Sequence, residues 1–150
     1  MAIEDLTIHE RLTTQMEYVV PLVRDLQAIL GEDVVNRALE ERIRRDVEKA
    51  KGEPAPDIDL RAMAAGTEVY AAGDVLGYEV LEASEDRFEM NVTRCGYKET
   101  MERLGARDIG HLLICNLDFP MALRAGTELT RTQTCMQGGS HCDFRYRKRS

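Results

Sequence analysis

Basic residues are in short supply in this chain: 20 Lys and Arg stand against 27 Asp and Glu, giving a net charge of -7 over 150 residues. A nucleic-acid binder needs a basic face to displace counterions from phosphate, so this balance argues against such a partner. No stretch approaches the ~20 apolar residues of a membrane span. The first ten residues carry Glu4, Asp5 and Glu10 rather than the apolar centre of an export signal. These absences predict a cytoplasmic chain without a membrane partner, in a compartment where its four cysteines stay thiols. Among those cysteines there is no CxxC pair, and no internal repeat runs through the sequence.

What is present fits one globular domain. At this length a chain buries roughly 70% of its unfolded surface, so a core needs neither disulfide nor metal. The apolar share of 43% and charged share of 31% are those of an ordinary folded protein. The one strongly basic stretch, Arg145, Arg147, Lys148 and Arg149, reads as a solvated strand end followed by a frayed terminus.

The chain divides near residue 72 into a helical portion (1–72) and a sheet portion (73–150) of a single domain. Leu12, Met16, Val19, Val20, Val23, Leu26, Ile29 and Leu30 recur at three- and four-residue steps and predict a helix that stops at Gly31. A second helix is expected from Asp33 to about Lys51, and a third from Asp59 to Ala72. The run Gly52 to Asp57 with its two prolines forms the turn between them. After Gly73 the period changes to near-alternation, predicting strands over Tyr78–Leu81 and Phe88–Val92. Short helices over Lys98–Leu104 and Asp108–Leu123 follow, then strands over Glu128–Cys135 and Cys142–Arg147. The expected fold class is α+β: a helical N-terminal half followed by a four-stranded antiparallel sheet with helices packed on one side. The long amphipathic helices could also pair two copies, so a homodimer through them is an expectation.

The chemistry-bearing residues gather in the last third. Cys95, Cys135 and Cys142 fall at strand ends, whereas Cys115 lies inside the helix Asp108–Leu123, three residues from Asp118 on the same face. One reading makes this pair reactive; the other has Asp118 capping a turn before Pro120 and Cys115 filling the core. Gly138 and Gly139 permit a tight turn whose amides could face an anion. His141 and Asp143 flank Cys142, with Asp143 on the opposite strand face from its thiol. His9 and His111 read as ordinary surface or core residues. Cys115, Cys135 and Cys142, or Cys95 in place of Cys135, could also give three thiolates to a zinc ion with an open fourth position.

Taken in order, Asn91-Val92-Thr93-Arg94-Cys95, Leu104-Gly105, Cys115-Asn116-Leu117-Asp118, Gly126, Arg131-Thr132-Gln133-Thr134, Gly138 and Cys142-Asp143-Phe144-Arg145-Tyr146 resemble the L-2-amino-thiazoline-4-carboxylic acid hydrolase-like family. The resemblance implies a small α+β protein that hydrolyses a cyclic C–N bond, with Asn91, Cys95 and Arg131 beside the substrate. The family pattern tends to carry an acid directly after the glycine matched by Gly138; here that position is Gly139, which implies a different substrate or another binding group. A more distant likeness to the vinyl-reductase-like ligand-sensing domains implies a zinc held by Cys115, Cys135 and Cys142, with Thr132 at the place of a fourth ligand.

Two functional expectations follow. In the first, a small-molecule hydrolase, Cys142 by preference or Cys115 otherwise attacks the C=N or C=O carbon of a cyclic amidine, thiazoline or lactam. Asp118 acts as general base, while the amides near Gly138, His141 and the Arg131 guanidinium hold substrate or developing charge. No cofactor is needed for this route. In the second, the same pocket binds a small ligand without turning it over, with zinc as a possible structural ion.

Overall fold

The computed structural model describes residues 2–150. Three long helices open the chain: α1 (Ile8–Leu30), α2 (Glu32–Gly52) and α3 (Leu60–Ala71). A capping box starts α1, with the Thr7 hydroxyl accepting from the Glu10 amide and the Glu10 carboxylate accepting from the Thr7 amide at 2.7 Å. This cap places the start of α1 a turn earlier than the apolar period alone predicts. Gly31, at φ 94°, ends α1 in a conformation that glycine reaches without steric cost. Asp59 caps α3 by accepting from the Arg61 amide at 2.9 Å.

Next come β1 (Leu76–Ala83), β2 (Arg87–Cys95), α4 (Gly96–Arg103), α5 (Arg107–Leu113), α6 (Asp118–Arg124), β3 (Thr127–Thr130) and β4 (Cys142–Lys148). The strands form one antiparallel sheet in the order β1-β2-β4-β3. Side chains alternate across it. Phe88, Met90 and Val92 of β2 stand opposite Tyr146, Phe144 and Cys142 of β4, and all six face the helices in a core shared with Leu60. The other face is polar, with Glu89 joined to Arg147 at 2.6 Å and to Arg145 at 3.7 Å.

A bulge interrupts β2. Tyr78 pairs with Val92 and Gly77 with Arg94, which leaves Thr93 without an opposing residue. Alternation therefore slips by one, and the next residue after Arg94 to turn inward is Cys95.

A second core joins Met16, Val20, Val23 and Val35 of the first two helices to Met101, Ile109, Leu112 and Met136. The buried stripe of α1 is thus satisfied within the chain, while Tyr18, Leu22 and Ile29 remain exposed on its other side. Ion pairs tie the layers together: Arg24 to Asp108 at 2.7 Å, and Arg124 to Asp46 at 2.6 Å and Glu53 at 2.8 Å.

Three expectations from sequence are corrected. The helix anticipated over 108–123 is broken at Ile114 (φ -125°, ψ -67°) into α5, a 3-10 turn Cys115–Leu117 and α6. The third strand ends at Thr130 rather than Cys135, because the Asp143 carboxylate captures the amides of Thr132 and Gln133 at 2.9 Å each. The basic end is not a frayed tail. Lys148 reaches Asp57 and Glu85, and the Arg149 guanidinium donates to the carbonyls of Ala50, Lys51, Glu53 and Leu123.

Candidate functional site

A cavity of about 230 Å³ lies where the two cores meet. Ile8 and Leu12 of α1, Tyr70 of α3, Leu76 of β1, Val92 of β2, Tyr97 of α4, Ile114, Met121 and Phe144 make its apolar wall. Into it open Cys95, Cys115, Cys142, Asp118, Arg131 and Thr134. Each arrives from a different local device. The Thr93 bulge turns Cys95 inward at the start of α4. The break after α5 brings Cys115 and Asp118 to the same wall although they no longer share a helix. Cys142 is the first residue of β4, opposite Val92.

Arg131 organises the charged corner. Its side chain is only 3% exposed, against 34% for that of Asp118. The guanidinium donates to Asp118 Oδ2 at 2.6 Å and to the Cys115 carbonyl at 3.0 Å. It lies between the rings of Phe119 and Phe144, 5.1 Å from each centroid, an arrangement that stabilises a desolvated cation. Burial drives the Asp118 carboxyl above the usual carboxylate range despite the opposing pull of Arg131.

The thiols differ in their electrostatics. Burial pushes Cys115 up to about 12, with Arg131 pulling it down and Asp118 adding to the rise. Cys142 is likewise pushed by burial to about 12, although its sulfur accepts the Cys135 amide at 3.2 Å. Burial also raises Cys95, but there the Lys98 and Tyr97 amides of the first turn of α4 pull the other way. Cys95 is the N-cap of α4 and its side chain makes no capping hydrogen bond, so burial still outweighs the pull of those amides.

Several residues expected at the site lie elsewhere. Asn91 is on the outer, polar face of the sheet and accepts from Arg145 at 3.0 Å; strict alternation between Val92 and its neighbour puts it there. The amides of Gly138 and Gly139 do not form an open nest: they donate to the carbonyls of Cys135 (3.1 Å) and Thr134 (2.9 Å). His141 contacts the Ser140 hydroxyl at 2.9 Å and, like Gly138, does not line the cavity. Cys135 sits behind the wall, its thiol on the Val92 carbonyl at 3.4 Å. The Thr132 hydroxyl is taken by Asp143 at 2.6 Å. Among the described residues, no group of three or more His, Cys, Asp or Glu side chains is placed to hold a metal ion. His9 is a part-buried structural residue: its Nε2 lies 2.9 Å from the Thr100 hydroxyl and 3.2 Å from the Gly96 carbonyl, fastening α1 to α4.

The sequence model of the family described as L-2-amino-thiazoline-4-carboxylic acid hydrolase matches residues 11–146. The chain belongs to that family. The match takes in every residue of the charged corner and all three cavity thiols of this hydrolase-family member, while Ile8 of the apolar wall lies before it. No curated protein matches the chain. Among solved structures it is similar to the Fe(II) unliganded H-NOX protein of K. algicida. A mutant form gives 10% identity and a TM-score of 0.41 over 90% of this chain and 74% of that one. The form without that mutation gives 12% and 0.36 over 98% and 66%. Scores this low carry no argument about fold or ligand.

Among the described residues no helix is long and apolar enough to cross a membrane.

Proposed function

We propose that this family member is a small-molecule hydrolase that opens the ring C–N bond of a cyclic amidine, thiazoline or lactam, with Cys95 as nucleophile and Asp118 as proton carrier. The observation that carries the reading is the convergence of three thiols and one carboxylate on a single apolar cavity. Sequence places Cys142 first; the electrostatics of the cavity favour Cys95. A thiol near 12 is almost wholly protonated at neutral pH, and nucleophilicity belongs to the thiolate. Cys95 alone among the three has helix amides facing its sulfur.

The Cys95 S–H proton passes to the Asp118 carboxylate as sulfur bonds to the ring C=N carbon. Electrons of the C=N bond move to nitrogen. That nitrogen, which already carries the amidinium proton, takes a second one back from Asp118. The exocyclic amino lone pair then forms a new C=N bond to the carbon and expels the ring nitrogen as an amine, leaving an S-linked adduct. Asp118 next removes a proton from water as it adds to the adduct carbon, and hands that proton to sulfur as the C–S bond breaks, so that Cys95 leaves as the thiol. Arg131 keeps the carboxylate aimed and acts through it. Base assistance of this kind contributes about 10²–10⁴ in rate, enough for a ring already activated as a protonated amidine.

The test is turnover of 2-amino-2-thiazolines by single Cys→Ser variants. Cys95→Ser should abolish hydrolysis, whereas Cys142→Ser and Cys115→Ser should retain at least a tenth of it. Full activity in Cys95→Ser refutes the assignment. A second reading, a binding module without turnover, is supported by the raised values of Cys115 and Cys142, which keep those thiols inert. Saturable binding with no hydrolysis by any form would establish it instead.

A further inference from the structure

We infer that the cavity selects a cationic or neutral ring bearing an apolar substituent and rejects a ring bearing a carboxylate. This inference rests on the proposed site and names its substrate class. It departs from the carboxylic acid in the family's description.

The first ground is the charge of the lining. Arg131 is the one cation that lines the cavity among the described residues. Its guanidinium is 3% exposed and is committed to Asp118 and to the Cys115 carbonyl. A ligand carboxylate would have to displace Asp118 from a 2.6 Å charge-assisted bond, which exchanges one carboxylate for another and leaves the first unpaired. Asp118, by contrast, lines the cavity with a third of its side chain exposed. A ring N–H⁺ finds an acceptor there; a ligand anion finds a like charge.

The second ground is the rest of the wall. Leu12, Leu76, Val92, Ile114 and Met121 offer a ring substituent nothing but apolar contact. Neither Gly138 nor His141, the neutral donors expected from sequence to bind an anion, reaches the cavity. The space of about 230 Å³ exceeds the ~150 Å³ that accepts a benzene, so one ring with a short alkyl arm fits.

The experiment is isothermal titration calorimetry on the full chain, using Cys95→Ala protein so that turnover does not consume the probe. The probes are 2-amino-2-thiazoline, its 4-propyl derivative and its 4-carboxylate. The propyl compound should bind at least tenfold more tightly than the carboxylate, with the unsubstituted ring between them. Asp118→Asn should narrow the gap by at least tenfold, and circular dichroism of that variant checks that it is folded. Should Asp118→Asn fail to fold, Met121→Lys takes its place: a cation at the cavity wall should reverse the order of the propyl and carboxylate probes. Equal or tighter binding of the carboxylate by the starting protein overturns the inference, and so does no binding of any of the three probes up to millimolar concentration. Hydrolysis is read separately, on protein with Cys95 intact. Loss of turnover with the binding order preserved would remove the hydrolase reading and leave the selectivity standing. Preferred hydrolysis of the carboxylate would do the reverse.

Discussion

Replacing Arg131 with methionine tests whether the charged corner is held together as described. The change removes a guanidinium that is 3% exposed and keeps most of the side-chain volume between Phe119 and Phe144. Breaking a buried ion pair from one side costs about 3–5 kcal/mol, because the remaining charge is stranded. Asp118 lines the cavity and is 34% exposed, so water can reach it and the lower end applies. Loss of the hydrogen bond to the Cys115 carbonyl adds about 1 kcal/mol. The expected penalty is therefore about 4 kcal/mol at neutral pH, or roughly 10 °C in Tm for a chain of this size. The assay is urea unfolding at about pH 5 and about pH 8. Burial already raises the Asp118 carboxyl and Arg131 opposes that rise, so in the variant it rises further. A carboxyl raised on folding favours the folded state while protonated, and that contribution fades as pH climbs through its folded value. The penalty should thus be smaller at the acid end. Adding Asp118→Leu should recover at least about 2 kcal/mol, since the stranded charge is gone. A penalty under about 1 kcal/mol, or strict additivity in the double variant, would refute the account of Arg131 and Asp118 as a buried, mutually dependent pair.

Two further outcomes follow from the same geometry. Asp143→Asn should cost about 2 kcal/mol by chemical denaturation, because the Thr132 and Gln133 amides and the Thr132 hydroxyl lose a charged acceptor. Partial burial would raise Asp143, but those hydrogen bonds outweigh it and hold the carboxyl below its usual range. The stability it supplies is present above the ordinary aspartate value and lost as pH falls through the lowered one, so Asp143→Asn should flatten the acid limb of the stability curve. Iodoacetamide at about pH 8 should label Cys95 well before Cys115 or Cys142, since a group at about 12 is only roughly 10⁻⁴ thiolate there. Peptide mapping that finds Cys142 modified first would reverse the assignment of the nucleophile.

Much of the architecture was legible in the sequence because burial imposes a period. The 3.6-residue pattern marked α1 and α2, and the change to near-alternation marked β1 and β2. The same reasoning missed the break at Ile114. Ile109, Leu112 and Leu113 face the core before it, and Leu117 and Met121 line the cavity after it; periodicity reports which side is apolar, not whether the backbone is continuous. The early end of β3 was hidden because Thr132, Thr134 and Cys135 suit a strand well. A side chain eleven residues later, Asp143, takes the amides that a strand would have given to its neighbour. At the site, Cys95, Cys115, Asp118, Arg131 and Cys142 were singled out by their chemistry. Ile8, Leu12 and Tyr70 were not, because an apolar residue facing a cavity carries the same signal as one facing the core.

The unpaired residue in β2 divides that strand's work in two. Up to Val92 the strand serves the packing of the sheet; past Thr93 it serves the cavity. An extra residue in β1 opposite Thr93 would absorb the bulge, and plain alternation would then exchange the roles of the last two side chains of β2, sending a guanidinium inward and a thiol out to solvent. A family can thus gain or lose a reactive group at this edge through one inserted residue, without altering any residue that touches the ligand.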